Sequence, residues 1–148
     1  MNRSLLIISC SDRKIHTPGR MPASQRYDGQ SYRIIRKAMR EGCFPSNLDI
    51  LIISAKLGLL CWDEEIEDYD QLMSTEQARK LRPSIQENLE SYLDGRDYDK
   101  LFINMGVIYL ETLEGFEWKK HFNERIEAKG RIGEKSSQMK SWVRGQSQ

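Results

Sequence analysis

The chain has 148 residues, of which 39% are hydrophobic and 30% charged, and this is the composition of an ordinary globular protein with one core. Its 23 Lys and Arg residues nearly balance its 22 Asp and Glu residues, so the net charge of +1 excludes recognition of a partner by overall charge alone. No apolar run approaches the ~20 residues of a membrane span, and three cysteines and two histidines are too dispersed for a zinc site. We therefore expect one catalytic domain over residues 1–148 of a reduced, cytoplasmic protein, without a metal or other cofactor.

Short apolar runs alternate along the chain with segments of helical periodicity. The apolar runs predict strands at residues 4–9, 49–54, 100–104 and 126–132. The periodic segments predict helices at residues 29–40, 74–93, 107–122 and 134–143. Pro83 predicts a break in the second helix, and Gly115 predicts a weak point in the third. The alternation predicts an α/β fold with three layers and a mainly parallel sheet of about four strands.

Polar and cationic residues follow the first two predicted strands. The first strand ends in Ser9-Cys10-Ser11 with Lys14 close behind, and the second ends in Ser54, with Lys56 and Gly58 in a small-residue turn. Because parallel strands present their carboxyl ends at one edge of a sheet, we expect these residues to meet around a single pocket. Neither histidine is placed in the sequence to activate the cysteine as a nucleophile, so packing or ligand contact is its expected role.

An acidic segment, residues 63–70, lies just beyond Lys56. Its apolar and aromatic members predict that part of the segment packs on the core. Packing would direct Asp63, Glu67 or Asp70 inward, where a carboxylate near the lysine would act as a general base or stabilise a developing cation. A solubilising surface loop would have a similar composition.

Other candidate ligand-binding residues are aromatic, amide or cationic. The rings of Tyr27 and Tyr32, on either side of Gly29, can stack on a planar ligand or pack the helix onto the core. Asn104 ends the third predicted strand, and its amide can read a base edge or form part of a turn. Arg131 and Lys135 lie near the predicted start of the last helix, where cations suit either a phosphate contact or an ordinary helix surface.

Several motifs, occurring in order, give the chain a resemblance to a known group. The motifs are Ser9-Cys10-Ser11-x-x-Lys14, Tyr27-x-Gly29-x-x-Tyr32, and Ser54-Ala55-Lys56-x-Gly58-Leu59-Leu60 followed by the acidic segment. Over roughly its first half the chain resembles small bacterial and phage-associated domains. These look related to the lysine-bearing catalytic domain of archaeosine synthase and to uracil-DNA-glycosylase-like α/β folds, and they are similar to an anti-phage DNA glycosylase acting on glucosylated hydroxymethylcytosine.

The resemblance implies a modified nucleobase in nucleic acid as the substrate. The expected enzyme is a DNA glycosylase that flips a modified base out of phage DNA and hydrolyses its N-glycosidic bond, and glucosylated hydroxymethylcytosine is a candidate for that base. One of the three carboxylates would stabilise the sugar cation, while Lys14 and Lys56 would bind phosphate or neutralise the leaving base. If either lysine attacked the sugar, a Schiff base would form instead. The residues expected to contact the substrate are Ser9, Cys10, Ser11, Tyr27, Ser54, Gly58, Tyr69, Asn104, Arg131 and Lys135.

Two other functions stay open from the sequence. The first is a deazaguanine-modification enzyme, amidotransferase-like or transglycosylase-associated, that uses Lys14 as its nucleophile. The second is a nucleic-acid-binding accessory domain without catalysis. DNA is the expected partner of the leading function, a membrane and a metal are not expected, and the sequence indicates no oligomeric state.

Overall fold

The computed structural model describes residues 3–145. In that part of the chain the strands are β1 (Arg3–Ser9), β2 (Met21–Pro22), β3 (Leu48–Ser54), β4 (Gly58–Cys61), β5 (Glu65–Ile66), β6 (Tyr98–Asn104) and β7 (Glu124–Glu127). The α-helices are α1 (Ala23–Arg26), α2 (Gln30–Arg40), α3 (Thr75–Leu93), α4 (Val107–Leu110) and α5 (Ile132–Gly145). No helix within residues 3–145 is both long and apolar enough to cross a membrane.

Five of the described strands form the main sheet, in the spatial order β4-β3-β1-β6-β7. Strands β3, β1, β6 and β7 run parallel, whereas β4 pairs antiparallel with β3. A separate antiparallel pair joins β2 to β5, which lies within the acidic segment. The α/β fold with a mainly parallel sheet is confirmed, and the main sheet has one strand more than the predicted four.

The extra strand, β4, follows a tight turn after β3. Its first residue, Gly58, has a φ of +78°, in the left-handed region that favours glycine, and its register partner is Ser54. The sequence predicts only a turn here, because four residues are too few to show the alternation of a strand. Gly58 therefore has a role in the turn geometry.

The β1 strand is buried on both faces, which places the sheet in the middle of three layers. Leu6 and Ile8 pack in the core beneath α2 and α5, whereas Leu5 and Ile7 pack in the core beneath α3. Successive side chains of a strand point to opposite faces, so one apolar run supplies both cores. This arrangement confirms the expected three layers.

Two predicted helices differ from the observed ones. Helix α3 continues through Pro83 without a break, because the proline is exposed and the buried residues Ala78 and Ile85 anchor the helix on either side of it. The predicted helix at residues 107–122 is wrong. It ends at Leu110, and single 3-10 turns follow at Glu111–Leu113 and Trp118–Lys120. Gly115, with a φ of +83°, reverses the chain between those turns.

The last predicted strand is displaced toward the N-terminus. Strand β7 ends at Glu127, and Gly130, with a φ of +102°, turns the chain before α5. Ile132 therefore begins a helix instead of ending a strand. Helix α3 begins where it was predicted to begin, and the Ser74 hydroxyl caps it by accepting a hydrogen bond of 3.0 Å from the amide of Gln77.

Candidate functional site

A cavity of about 270 Å³ opens at the carboxyl ends of β1 and β6. From β1 the chain continues to β3, toward one edge of the sheet, and from β6 it continues to β7, toward the opposite edge. The crevice between β1 and β6 is therefore the topological switch point. We call it the switch-point cavity. Its polar lining includes Cys10, Ser11, Ser31, Asn104, Tyr109 and Lys135. No Asp or Glu among residues 3–145 lines it.

The turn after β1 supplies one wall of the switch-point cavity. The Cys10 sulfur lies 3.0 Å from the Tyr109 hydroxyl, with which it shares a hydrogen bond. The Ser11 hydroxyl accepts a bond of 3.2 Å from the amide of Gly29 and donates one of 2.7 Å to the carbonyl of Arg13. A Cβ at Gly29 would lie 2.7 Å from the Cβ of Ser11, so this approach requires glycine.

The opposite wall comes from β6 and α5. The amide nitrogen of Asn104 donates to the Ser31 hydroxyl at 3.1 Å and contacts the Met139 sulfur at 3.4 Å. Its carbonyl oxygen has no hydrogen-bond partner among the described residues. The Lys135 ammonium donates to the carbonyl of Met105 at 3.1 Å and thereby ties α5 to the end of β6. This wall thus offers an open acceptor beside a half-buried cation.

A buried network of hydroxyl groups connects the end of β3 with the acidic segment and with the residue that precedes the α2 turn. The Tyr69 hydroxyl lies 2.5 Å from that of Tyr27 and 2.8 Å from that of Ser54. The Ser54 oxygen also accepts bonds from the amides of Lys56 and Leu57, at 3.2 and 3.0 Å. Ser54 therefore fixes the turn that carries Lys56 to the Tyr69 side chain.

Both predicted lysines lie over the ring of Tyr69. The Lys14 and Lys56 ammonium nitrogens are 4.8 and 5.9 Å from the ring centroid, within the range of a cation–π contact. Neither forms an ion pair with a carboxylate among residues 3–145. Two cations over one neutral ring form a site suited to an anion. The two lysines therefore lie over one ring, and neither of them lines the switch-point cavity.

The tyrosines around Cys10 stay protonated at neutral pH. Burial raises the pKa of Tyr27 to about 12. Burial first, and then the neighbouring Cys10 sulfur, raises the pKa of Tyr69 and of Tyr109 beyond the ordinary range of a phenol. Each hydroxyl is therefore a neutral hydrogen-bond donor.

The predicted carboxylates lie apart from the switch-point cavity. Asp63 accepts a bond of 2.9 Å from the Ser24 hydroxyl on another part of the surface, and Asp70 is exposed. Glu67 lines a second cavity, of about 400 Å³, together with Lys56 and Arg20. The expected single pocket is therefore divided, with one lysine and one predicted carboxylate in a neighbouring groove.

The remaining predicted ligand contacts occupy different places. Ser9 and Lys135 line the switch-point cavity, whereas Tyr27 lies in the buried hydroxyl network. Arg131 is exposed, its amide donates to Glu134 at 3.0 Å, and it does not line the cavity. No group of three or more His, Cys, Asp or Glu within the described chain could hold a metal ion.

The loop that carries Lys14 is held by Arg26, a residue that the sequence analysis missed. This arginine has no exposed surface, and its guanidinium donates to the carbonyls of Ile15, Thr17, Gly19 and Ile66. Tyr109 was not among the predicted ligand contacts. Its place one turn beyond Gly106, after a predicted strand end, was an available signal, whereas no pattern marked the arginine as buried.

Comparisons with known proteins give a family but no activity. A family model matches residues 5–141, and its description is a family of unknown function. A search of curated proteins found no match. The match includes both walls of the switch-point cavity and the two lysines over Tyr69.

Proposed function

The chain belongs to that family, DUF6884, and we propose that it is a DNA glycosylase that takes a modified nucleobase into the switch-point cavity and hydrolyses the N-glycosidic bond. The observation that carries this proposal is the cavity at the carboxyl ends of β1 and β6, with an amide, a phenol and hydroxyls converging on it. Glycosylases must extrude their target from the stack into such a pocket.

The Asn104 side chain is suited to reading the edge of the base. Its carbonyl oxygen is open to a base N–H donor, while the bonds from its nitrogen to Ser31 and Met139 fix the plane of the amide. The Tyr109 hydroxyl, kept protonated and bonded to Cys10, offers a second polar contact. These groups give recognition by hydrogen bonds within the switch-point cavity.

Exposed apolar side chains at the mouth of the cavity suit a wedge. Ile132 lines the cavity and is 77% exposed, and Val107, next to the lining residue Gly106, is 76% exposed. Proteins that unstack DNA insert such side chains between base steps. In the proposed complex they fill the gap that the extruded base leaves.

Cations beside the cavity suit the DNA backbone. Lys14 and Lys56 lie on one side of the cavity, over the Tyr69 ring. On another side, a groove between α2 and α5 is lined by Arg33, Lys37, Lys140 and Arg144, and Gln30 lines both this groove and the cavity. A near-neutral protein with cations concentrated around one cavity would bind DNA there.

The carboxylate in the proposed reaction is Asp12. It follows the lining residue Ser11, and its charge contributes to the raised pKa of Tyr109, which also lines the cavity. There it would stabilise the oxocarbenium character at C1′ and accept a proton from the attacking water. Glu67 is the competing candidate, because it shares a groove with Lys56.

Base release tests the proposal directly. We would incubate the protein with unmodified, uracil-containing and glucosyl-hydroxymethylcytosine DNA, and measure released bases and alkali-labile sites. We expect release from one modified DNA, a loss of at least about a hundredfold in Asp12→Asn, and no loss in Glu67→Gln. Asn104→Ala should lose activity, whereas Asn123→Ala, an exposed amide elsewhere, is the matched control. No release from any DNA would refute the glycosylase.

A second candidate is a nucleic-acid-binding domain without catalysis. One observation favours it: no carboxylate among the described residues lines the switch-point cavity. In that case DNA binds with the same dependence on Lys14 and Lys56, but every DNA is recovered intact. The base-release assay separates the two candidates.

A further inference from the structure

We propose that the switch-point cavity holds a phosphoryl group between the first turns of α2 and α5. This inference rests on the proposed function and names the part of the nucleotide that enters beside the base. The base would lie toward Asn104 and Tyr109, and its phosphate would lie toward the two helices.

Helix α2 begins at the cavity with unused amides. Its first internal bond runs from the amide of Arg33 to the carbonyl of Gly29, at 3.2 Å. The preceding amides, those of Gln30, Ser31 and Tyr32, have no acceptor among the described residues, and Gly29 has no side chain to cap them. All three residues line the cavity. The positive end of the helix dipole is therefore directed toward the cavity.

Helix α5, of 14 residues, begins at the same cavity. Its first internal bond runs from the amide of Lys135 to the carbonyl of Arg131, at 2.9 Å. The earlier amides of the helix have no acceptor among residues 3–145, and Ile132 lines the cavity. Two helix N-termini thus converge on one space, and this arrangement favours an anion.

A buried hydroxyl without a partner points independently to a ligand. Ser136, in the second turn of α5, is 3% exposed and lines the cavity. Its hydroxyl forms no hydrogen bond with any described residue, and the oxygen keeps some accessible surface. The hydroxyl faces the cavity as a donor without a protein acceptor, and an oxygen of a ligand bound there would accept its hydrogen bond.

The charges around the cavity agree with an anionic ligand. The half-buried Lys135 ammonium has one donated bond, to the carbonyl of Met105, and can donate twice more. Glu134 is directed to the amide of Arg131 and does not line the cavity. Asp12, whose charge acts on Tyr109, lies in the turn after β1, which supplies the opposite wall. The helix side therefore has donors and a cation.

The test compares ligands with and without a phosphate. Inorganic phosphate, a deoxynucleoside 5′-monophosphate and the matching deoxynucleoside would be titrated into the full chain by calorimetry and by amide chemical shifts. We expect the monophosphate to bind at least about tenfold more tightly than the nucleoside. Lys135→Gln and Ser136→Ala should remove most of this difference. Lys119→Gln, an exposed lysine without an ion pair among residues 3–145, should leave it unchanged.

The outcomes separate this inference from the proposed glycosylase. Equal affinity for monophosphate and nucleoside, or a phosphate advantage that survives both substitutions, overturns the phosphoryl site even if bases are released. Phosphate binding without base release from any DNA supports the phosphoryl site and refutes the glycosylase. A short duplex titrated alongside the mononucleotide shows whether the phosphate comes from the DNA backbone or from a free nucleotide.

Discussion

The hydroxyl groups of Tyr27 and Tyr69 lie 2.5 Å apart in the core, beneath the two lysines. Tyr27 precedes α2, and Tyr69 lies in the acidic segment, so this contact ties together two loops that are far apart in the sequence. The Tyr69 ring then presents its face to Lys14 and Lys56. A buried contact thus determines where both cations lie at the surface.

Removing the Tyr69 hydroxyl should weaken the fold but keep the site. Tyr69→Phe retains the ring under the lysines and leaves the Tyr27 hydroxyl without its buried partner. We expect a loss of about 1–2 kcal/mol in the free energy of unfolding, measured in urea. DNA affinity should change little in this variant and fall in Tyr69→Ala. Equal DNA affinity in Tyr69→Ala and wild type would show that the ring does not position the lysines.

The two lysines should act as phosphate contacts. Lys14→Gln and Lys56→Gln should each weaken DNA binding, and each should lower the slope of log K against log salt by about one. Lys80→Gln, on the exposed face of α3 and without an ion pair among the described residues, is the control with the same charge change. Fluorescence anisotropy at several salt concentrations measures the slope. An unchanged slope in the double variant would place the DNA elsewhere.

Position 29 should not tolerate a side chain, because its backbone lies against Ser11. Gly29→Ala places a Cβ 2.7 Å from the Ser11 Cβ, so backbone must shift, at a cost of about 1–3 kcal/mol. Gly106→Ala is the matched control, because Gly106 also begins a helix at the cavity, has an ordinary φ of −71°, and has open space around it. Urea unfolding compares the two. Ser11→Gly in the Gly29→Ala background should restore part of the lost stability.

Burial of Arg26 should be essential to the loop that carries Lys14. Arg26→Met leaves carbonyls at residues 15, 17, 19 and 66 without their donor, and an acceptor that is buried and unpaired costs about 1–3 kcal/mol, with a smaller cost where water reaches the carbonyl. We therefore expect a loss of at least about 3 kcal/mol in unfolding free energy, and faster proteolysis within residues 12–20. Arg26→Lys should rescue little, since one ammonium cannot reach all four acceptors. Full stability in Arg26→Lys would contradict this reasoning.

The sequence predicted the strands better than the site, for physical reasons. The apolar runs of β1 and β3 are buried on both faces, so composition alone marked them, and parallel pairing then brought Lys14 and Lys56 together. Arg26 could not be found in this way, because its burial depends on carbonyls that only the folded loop brings together. The carboxylate assignments stay predictions, since which face an acidic loop presents depends on β5 pairing with β2.

The arginine cluster beside Tyr27 should make stability depend on pH in the acid range. Asp28 accepts bonds from Arg33 and Arg36, and these contacts lower the pKa of its carboxyl to about 2. In the unfolded chain the pKa is about 3.9, so the folded state favours the ionised form. The contribution of these ion pairs to stability is therefore complete above about pH 5 and is lost as the pH falls toward 2.

Asp28→Asn should be less stable than wild type at pH 7, and the difference should shrink steadily between pH 5 and pH 2, as measured by urea unfolding at each pH. Asp70→Asn, an exposed carboxyl without an ion pair among residues 3–145, should show no such convergence. A difference between Asp28→Asn and wild type that stayed constant down to pH 2 would mean that packing, and not charge, determines the effect of Asp28.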